Sequence, residues 1–225
     1  MTFDAVIVAA GSSTRFGGQD KLTVDLHGRP VLAWSLAAFE AAEGLGCVVV
    51  VTAEPTIAMM QALAATWAPK ACISVVVGGT RRRDSVEAGL RACSAKYVAI
   101  HDGARPLITP SLIDACVTAA TGKPGAIVAL PVTDTIKEVA GGLITGHPDR
   151  ARLWAAQTPQ VVLRQLWLDA AATSDNDETD DAAMLSRLGL ECAVVEGSAD
   201  NLKITRPADL AIAAELLRQR SGATS

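Results

Sequence analysis

Residues Val8 to Lys21 read V-A-A-G-S-S-T-R-F-G-G-Q-D-K. An apolar run, Ala5 to Ala10, leads straight into a glycine- and serine-rich loop that carries Arg15 and Lys21. Glycine lets backbone N–H groups turn toward a ligand without obstruction by Cβ, and a row of such amides cradles anions. Two cations beside that row point to a polyphosphate site. A Walker loop requires G-x-x-x-x-G-K-[ST], but here Gly11 is followed by Gly17 and Gly18, and Lys21 has no hydroxyl neighbour directly after it. The dinucleotide fingerprint G-x-G-x-x-G fails as well, because Ser12 and Ser13 occupy its place. The loop is therefore a third kind of phosphate cradle, or a surface loop whose glycines only serve turns.

Outward from this loop, short β-branched runs alternate with helical patterns. Strands are expected at Ala5–Ala10, Cys47–Thr52, Ile73–Val77, Tyr97–His101, Ala126–Leu130 and Cys192–Val195. Helices are expected at Val31–Ala42, Pro55–Trp67, Ser85–Cys93, Ser111–Ala120 and Arg164–Ala172. The spacing of Leu32, Leu36 and Phe39 fits one helical face. Thr109-Pro110 and Thr205-Arg206-Pro207 have the hydroxyl and early proline of helix starts. Apolar strands joined by helical crossovers predict an α/β fold with a doubly wound, mainly parallel, Rossmann-like sheet. One segment breaks the alternation. Thr135 to Val139, the Ala140-Gly141-Gly142 turn and Leu143 to Thr145 read as a protruding β-hairpin arm. An isolated hairpin is marginal in water, so this one needs a partner, in its own domain or in a second subunit.

The 225 residues suffice for one large domain or two small ones, and half of them are apolar. Twenty basic against twenty-four acidic residues leave a net charge of −4, which argues against a broad nucleic-acid surface. Five cysteines, Cys47, Cys72, Cys93, Cys116 and Cys192, are scattered without a C-x-x-C pair. They read as buried thiols in a reducing compartment, not as a zinc site or disulfide framework. The apolar run at the amino terminus is too short and wrongly flanked for a signal peptide or a membrane span. A soluble cytoplasmic protein with no nucleic-acid or membrane partner is the expectation.

Three further clusters add weight to the loop. Gly78-Gly79-Thr80-Arg81-Arg82-Arg83-Asp84-Ser85 sets three arginines at a helix start, against the usual preference for acids there. It is a solvated basic patch or an anion-facing turn. His101-Asp102-Gly103-Ala104-Arg105-Pro106 places an aspartate at the carboxyl end of a strand, where open α/β sheets hold ligands, although a helix cap would use the same residue. Asp200-Asn201-Leu202-Lys203-Ile204-Thr205-Arg206-Pro207 contributes a lysine singled out by its company. Asp175-Asn176-Asp177-Glu178 lacks the mid-loop glycine of a calcium loop, and acids before a helix at Thr179 or Asp180 suit its dipole. Trp34, Trp67, Trp154 and Trp167 are scattered and fit packing better than base stacking.

These clusters, with P-V-x-D-T-I-K, L-W-x-x-Q-T-P-Q and T-D-D between them, run in one order from the first strand to the last helix. In that order the chain resembles the 2-C-methyl-D-erythritol 4-phosphate cytidylyltransferases of the non-mevalonate isoprenoid pathway. The resemblance implies a single nucleotidyltransferase domain over residues 1–225, with 133–152 as an arm that crosses to a second subunit of a homodimer. It implies a transfer assisted by Mg²⁺ or another divalent cation, in which the acceptor's phosphate oxygen attacks the α-phosphorus of CTP and pyrophosphate leaves. Ala9, Ala10, Gly11 and Ser12 would line CTP, Gly79, Arg82 and Ser85 would form the cytosine wall, and Gly103 would join them. Arg15 and Lys21 would stabilise charge on the α-phosphate and the leaving pyrophosphate. Asp102 would hold the metal, with Asp200 as a second candidate. Arg105, Thr135, Arg150, Thr179 and Lys203 would bind the polyol phosphate, with Arg150 and Lys203 also serving catalysis.

The chain departs from the family in a shortened loop with Asp20, not proline, before Lys21. An acid there could pair with Lys21 in the empty enzyme. A cytidylyltransferase for another polyol phosphate, such as ribitol 5-phosphate, would share the CTP residues. A nucleotide-binding module without catalysis would share them too, although Arg15, Lys21, Asp102 and Lys203 are all present.

Overall fold

The computed structural model describes residues 1–11, 16, 20–173 and 176–222. Ser12 and Arg15 of the loop lie outside the described residues. In chain order the elements are β1 (Phe3–Val8), β2 (Asp25–Leu26), β3 (Arg29–Pro30), α1 (Val31–Glu40), β4 (Leu45–Thr52), α2 (Ile57–Trp67), β5 (Cys72–Val77), α3 (Arg82–Ala92) and β6 (Tyr97–Asp102). They continue as α4 (Pro110–Ala120), β7 (Gly125–Pro131), β8 (Glu138–Ala140), β9 (Leu143–Gly146), β10 (Trp154–Leu163), α5 (Arg164–Ala172), α6 (Asp181–Ser186), β11 (Ala193–Glu196) and α7 (Pro207–Gly222).

The main sheet has seven strands in the order β11-β7-β10-β6-β1-β4-β5. β1 pairs in parallel with both β4 and β6, whereas β10 runs antiparallel between β6 and β7. β1 and β6 are wholly or almost wholly buried, as their unbroken apolar runs require of strands covered on both faces. Alternate side chains feed two cores. Phe3, Ala5, Ile7, Val48 and Val50 pack with Leu32, Leu36, Phe39, Ile113 and Leu217. Val6, Val49, Val51, Val98 and Ile100 pack with Val86, Leu90, Trp167 and Leu185 on the other face. The sheet is thus covered on both sides, as the alternation of elements predicts.

β10 is not among the strands expected from the sequence. Its centre is the polar run Gln157-Thr158-Pro159-Gln160, and a proline within a strand belongs at an edge or an irregularity. Here the pairing with β7 is irregular between Ala156 and Gln160, and the Thr158–Pro159 peptide is cis. The arm is present as β8 and β9, with Gly141 and Gly142 at φ values of 58° and 81°. Both values lie in the left-handed region that glycine tolerates.

Two expectations are corrected. Cys47 and Cys72 are joined by a disulfide. Adjacent parallel strands bring them into register, which their separation in sequence does not reveal. Cys93 and Cys116 are buried free thiols, as expected, and Cys192 is partly buried. Helix α3 begins at Arg82 and not at Ser85, because Asp84 accepts the Arg81 N–H at 3.2 Å and starts the helix earlier.

Candidate active site

β1 and β6 lie side by side with Val8 opposite Asp102, and the chain leaves them in opposite directions, toward β4 on one side and β7 on the other. Such a switch point opens a crevice at the carboxyl ends of the strands. The Gly103 N–H donates to Val8 O at 3.0 Å and closes the base of the crevice. A Cβ on Gly103 would lie 2.8 Å from Leu32 Cδ1 and 3.2 Å from Val8 O, so this glycine permits close packing and lines neither cleft described below.

Two clefts meet above it. The first, about 350 Å³, is lined by Ala9, Ala10, Gly11 and Lys21 on one wall and by Gly79, Arg82 and Ser85 on the other, with Asp102 and Lys203 at one end. The second, about 250 Å³, is lined by Arg105, Gln157, Thr158, Gln160, Thr179 and Asp180, and again by Arg82, Asp102 and Lys203. Those last three residues form a wall common to both clefts.

Asp102 organises that wall. Its carboxylate is 2.8 Å from Lys203 Nζ, 3.6 Å from Arg82 Nε and 3.8 Å from Arg105 Nε. Burial alone would raise its pKa, but Lys203, Arg82 and Arg105 outweigh burial and hold the carboxyl well below the usual range. The backbone beneath is fixed by a buried hydroxyl. Thr158 Oγ1 accepts the Asp102 N–H at 3.1 Å and lies 3.0 Å from His101 Nδ1. Burial pushes His101 down to about 4, so the ring is neutral near pH 7. A neutral ring can accept from Thr158 at Nδ1 and donate from Nε2 to Arg105 O, 3.3 Å away.

The three arginines of the basic cluster have separate fates. Arg81 pairs with Asp84 at 2.7 Å. Arg83 is buried and donates to Ala171 O and Asn176 O. Arg81 also borders the first cleft, but of the three only Arg82 lines both, held 2.8 Å from Asp181 and close to Asp102, and Asp181 is the main reason its basicity is raised. The turn before them is tight. A Cβ on Gly78 would fall 2.6 Å from Ser85 Oγ, and the Ser85 hydroxyl accepts the Gly79 N–H at 3.2 Å.

The Lys203 segment is pinned from several sides. Asn201 is buried and donates from Nδ2 to Thr158 O and Gln157 Oε1. Arg105 donates to Asn201 O at 2.7 Å. Asp209 accepts the Thr205 and Arg206 N–H groups at 2.8 Å each. The Asp209 carboxyl is lowered chiefly by the Arg206 bond, with a smaller contribution from Lys21. Asp20 Oδ1 accepts the Leu22 N–H at 3.1 Å, which shapes the turn beside Lys21. Asp200 pairs with Arg220 of α7 at 3.3 Å and lines neither cleft.

Thr135 and Arg150 stand apart on the exposed arm region, where Arg150 donates to Thr133 O at 2.6 Å. Neither lines a cleft of this chain. Among the described residues no group of three or more His, Cys, Asp or Glu side chains is arranged to hold a metal ion. Asp181, Gln160 and Trp167, which support Arg82 at the shared wall, are site residues that the sequence did not single out. Asp181 and Gln160 had a signal only as members of the T-D-D and L-W-x-x-Q-T-P-Q motifs, and Trp167 lies in neither.

Residues 3–219 match the sequence profile of the family described as 2-C-methyl-D-erythritol 4-phosphate cytidylyltransferase. A protein of that name from Synechococcus sp. is 44% identical over 222 residues, covering 96% of each chain. Another from Cereibacter sphaeroides is 42% identical over 226 residues, covering 99% of this chain and 100% of its own. Among solved structures, a 4-diphosphocytidyl-2C-methyl-D-erythritol synthase from Anaerococcus prevotii superposes with a TM-score of 0.86 at 25% identity, covering 96% of each chain. A 2-C-methyl-D-erythritol 4-phosphate cytidylyltransferase from Thermus thermophilus gives a TM-score of 0.78 at 32% identity, covering 97% of this chain and 100% of that one.

Proposed function

The chain belongs to the 2-C-methyl-D-erythritol 4-phosphate cytidylyltransferase family, and on that footing we propose how its two clefts divide the transfer of CMP from CTP to 2-C-methyl-D-erythritol 4-phosphate. The first cleft takes CTP. The backbone at Ala10 and Gly11 and the Lys21 ammonium face the triphosphate, with Ala9 beneath them tied to β4 through its N–H to Val51 O at 2.7 Å, and the Gly79–Ser85 turn faces the base. The second cleft takes the acceptor, with Arg105 and Thr179 on its walls. The observation that carries this division is the shared wall of Arg82, Asp102 and Lys203, since the bond must form where the two clefts meet.

An oxygen of the acceptor's phosphate attacks the α-phosphorus of CTP. The bond between the α-phosphorus and the bridging oxygen breaks, and pyrophosphate leaves with that electron pair. Such chemistry needs alignment and charge stabilisation and no protein nucleophile. Lys21 and Arg15 offset the charge on the departing side, while Arg82 and Lys203 offset it at the junction. His101, neutral and buried under Asp102, holds the backbone and exchanges no proton with substrate.

A divalent cation, Mg²⁺ or another, would neutralise phosphate charge when bound. The donor set fits it in one way: Asp102 supplies a single carboxylate and CTP the remaining oxygens, as magnesium sites commonly have it. Lys203 lies 2.8 Å from Asp102 Oδ2, so its ammonium would compete with such a cation for the carboxylate and would also be at hand for the acceptor's phosphate.

The arm exposes Val139, Leu143 and Ile144 by 61%, 73% and 59%. A second copy of the chain would cover them, and Thr135 and Arg150 would then reach the partner's acceptor cleft. No described helix is long and apolar enough to cross a membrane, and both substrates are phosphate anions, which suits an enzyme of the cytoplasm. The test is subunit mixing. Arg150→Ala and Lys21→Ala homodimers should each be nearly inactive, and their mixture should regain activity through hybrids with one intact site. Mixtures that stay inactive despite proven exchange would mean that each site is built from one chain.

A further inference from the structure

Asp181, at the start of α6, is 1% exposed. A buried carboxylate is costly unless both oxygens find partners. Its Oδ2 lies 2.8 Å from an Arg82 nitrogen, and its Oδ1 accepts the Trp167 Nε1–H at 3.1 Å. Its own N–H donates to Gln160 Oε1 at 2.9 Å, and the Ala182 N–H donates to the same oxygen at 3.1 Å. Gln160 Nε2 in turn donates to Gln157 O and to Asp180 Oδ2, each at 3.2 Å. The carboxylate is thus fixed by the indole on one side and by the bend of β10 on the other. Arg82 is the movable member. Its side chain is 30% exposed, lines both clefts, and has Asp102 within 3.6 Å as a rival partner.

Resting on the assignment of the two clefts above, we propose that Asp181 is a positioning residue, whose buried carboxylate holds the Arg82 guanidinium on the shared wall and off Asp102. Arg82 then presents its remaining N–H groups to the reacting phosphates, and Asp102 keeps an oxygen for its own ligand. The ion pair also joins α3, which carries the nucleotide side, to α6, which carries the acceptor side. Without the charge of Asp181, Arg82 would be drawn to Asp102. That movement would misplace one cation and occupy a second site group at once.

The test is a cycle of Asp181→Asn, Arg82→Gln and the double variant, assayed by pyrophosphate release with CTP and the methylerythritol phosphate, alongside thermal melting. Asp181→Asn keeps the shape and one acceptor oxygen, enough for the Trp167 N–H, and removes the charge that holds Arg82. It should lower kcat about tenfold to a hundredfold, the cost of a small misplacement of a catalytic group, while KM for either substrate changes little. In the Arg82→Gln background the same substitution should cost no further activity, since the group it acts through is gone. Melting should move the other way. Arg82→Gln strands the Asp181 charge and lowers the melting temperature, and adding Asp181→Asn should restore it. Equal activity losses from Asp181→Asn in both backgrounds, or unchanged kcat in the single variant, would overturn the proposal. Wild-type protein inactive with this acceptor would instead overturn the assignment of the clefts, so the two failures are distinguishable.

Discussion

Replacing Lys203 by methionine should move two properties in opposite directions. The ammonium lies 2.8 Å from Asp102 Oδ2 and is 41% exposed on the side chain, whereas Asp102 is 12% exposed. Two unit charges at about 4 Å attract by about 4 kcal/mol near a protein surface and about 1 kcal/mol in water. Screening at a partly exposed lysine puts the pair between those limits, at about 2 kcal/mol. A divalent cation that binds Asp102 in the nucleotide-free enzyme must overcome that attraction. Lys203→Met removes the competitor, so affinity for Mn²⁺ should rise by roughly tenfold to thirtyfold, at 1.4 kcal/mol per tenfold. The same variant loses a cation from the transition state, so CMP transfer should fall by about 10²–10³. Free Mn²⁺ is measured by electron paramagnetic resonance during titration of nucleotide-free protein, and transfer by pyrophosphate release. Unchanged Mn²⁺ affinity in Lys203→Met would refute the reasoning, because Lys203 would then not be competing for the carboxylate.

Two further outcomes follow from the same geometry. In Gly79→Ala the new Cβ would lie 2.3 Å from Asp84 Cβ, so the turn and the start of α3 must shift. An overpacked site costs about 1–3 kcal/mol, and KM for CTP should rise about tenfold with kcat little changed; an unaltered KM would remove this turn from the nucleotide site. His101 binds its proton less readily when folded, about 4 against 6.5, so between those values the unfolded chain holds the extra proton. Stability should therefore fall as pH drops from about 6.5 toward about 4, by about 3 kcal/mol in total, and change little through this residue at higher pH. Urea midpoints across that window should slope in the wild type and flatten in His101→Gln; equal slopes would mean that His101 is not the group responsible.

Much of the fold was legible because the central strands are buried on both faces and even the edge strands β5 and β11 stay apolar. β1, β4, β5, β6, β7 and β11 each carry an apolar run, and only their ends moved by one or a few residues. β10 was hidden because its centre is polar and holds Pro159, and its partners β6 and β7 both precede it in sequence. The clefts were legible as separate motifs, since each ends a strand or starts a helix. Pairings across motifs were not. The three-arginine cluster reads as one basic patch, yet Arg81 pairs with Asp84 at the edge of the first cleft, Arg83 donates to backbone carbonyls, and only Arg82 reaches the wall common to both clefts. Its partner Asp181 lies in a motif nearly a hundred residues away, and only packing of α6 beside α5 and β10 brings it close. Cys47 and Cys72 make the same point, because only the register of β4 with β5 joins them.

The central claim is that the shared wall joins CTP to a methylerythritol phosphate. The most direct measurement is pyrophosphate release from CTP and Mg²⁺ with a panel of acceptors, 2-C-methyl-D-erythritol 4-phosphate and ribitol 5-phosphate among them. The account predicts turnover with the methylerythritol phosphate, abolished by Asp102→Asn, and little with ribitol 5-phosphate. Turnover with ribitol 5-phosphate alone, or CTP binding without release for any acceptor, would contradict it.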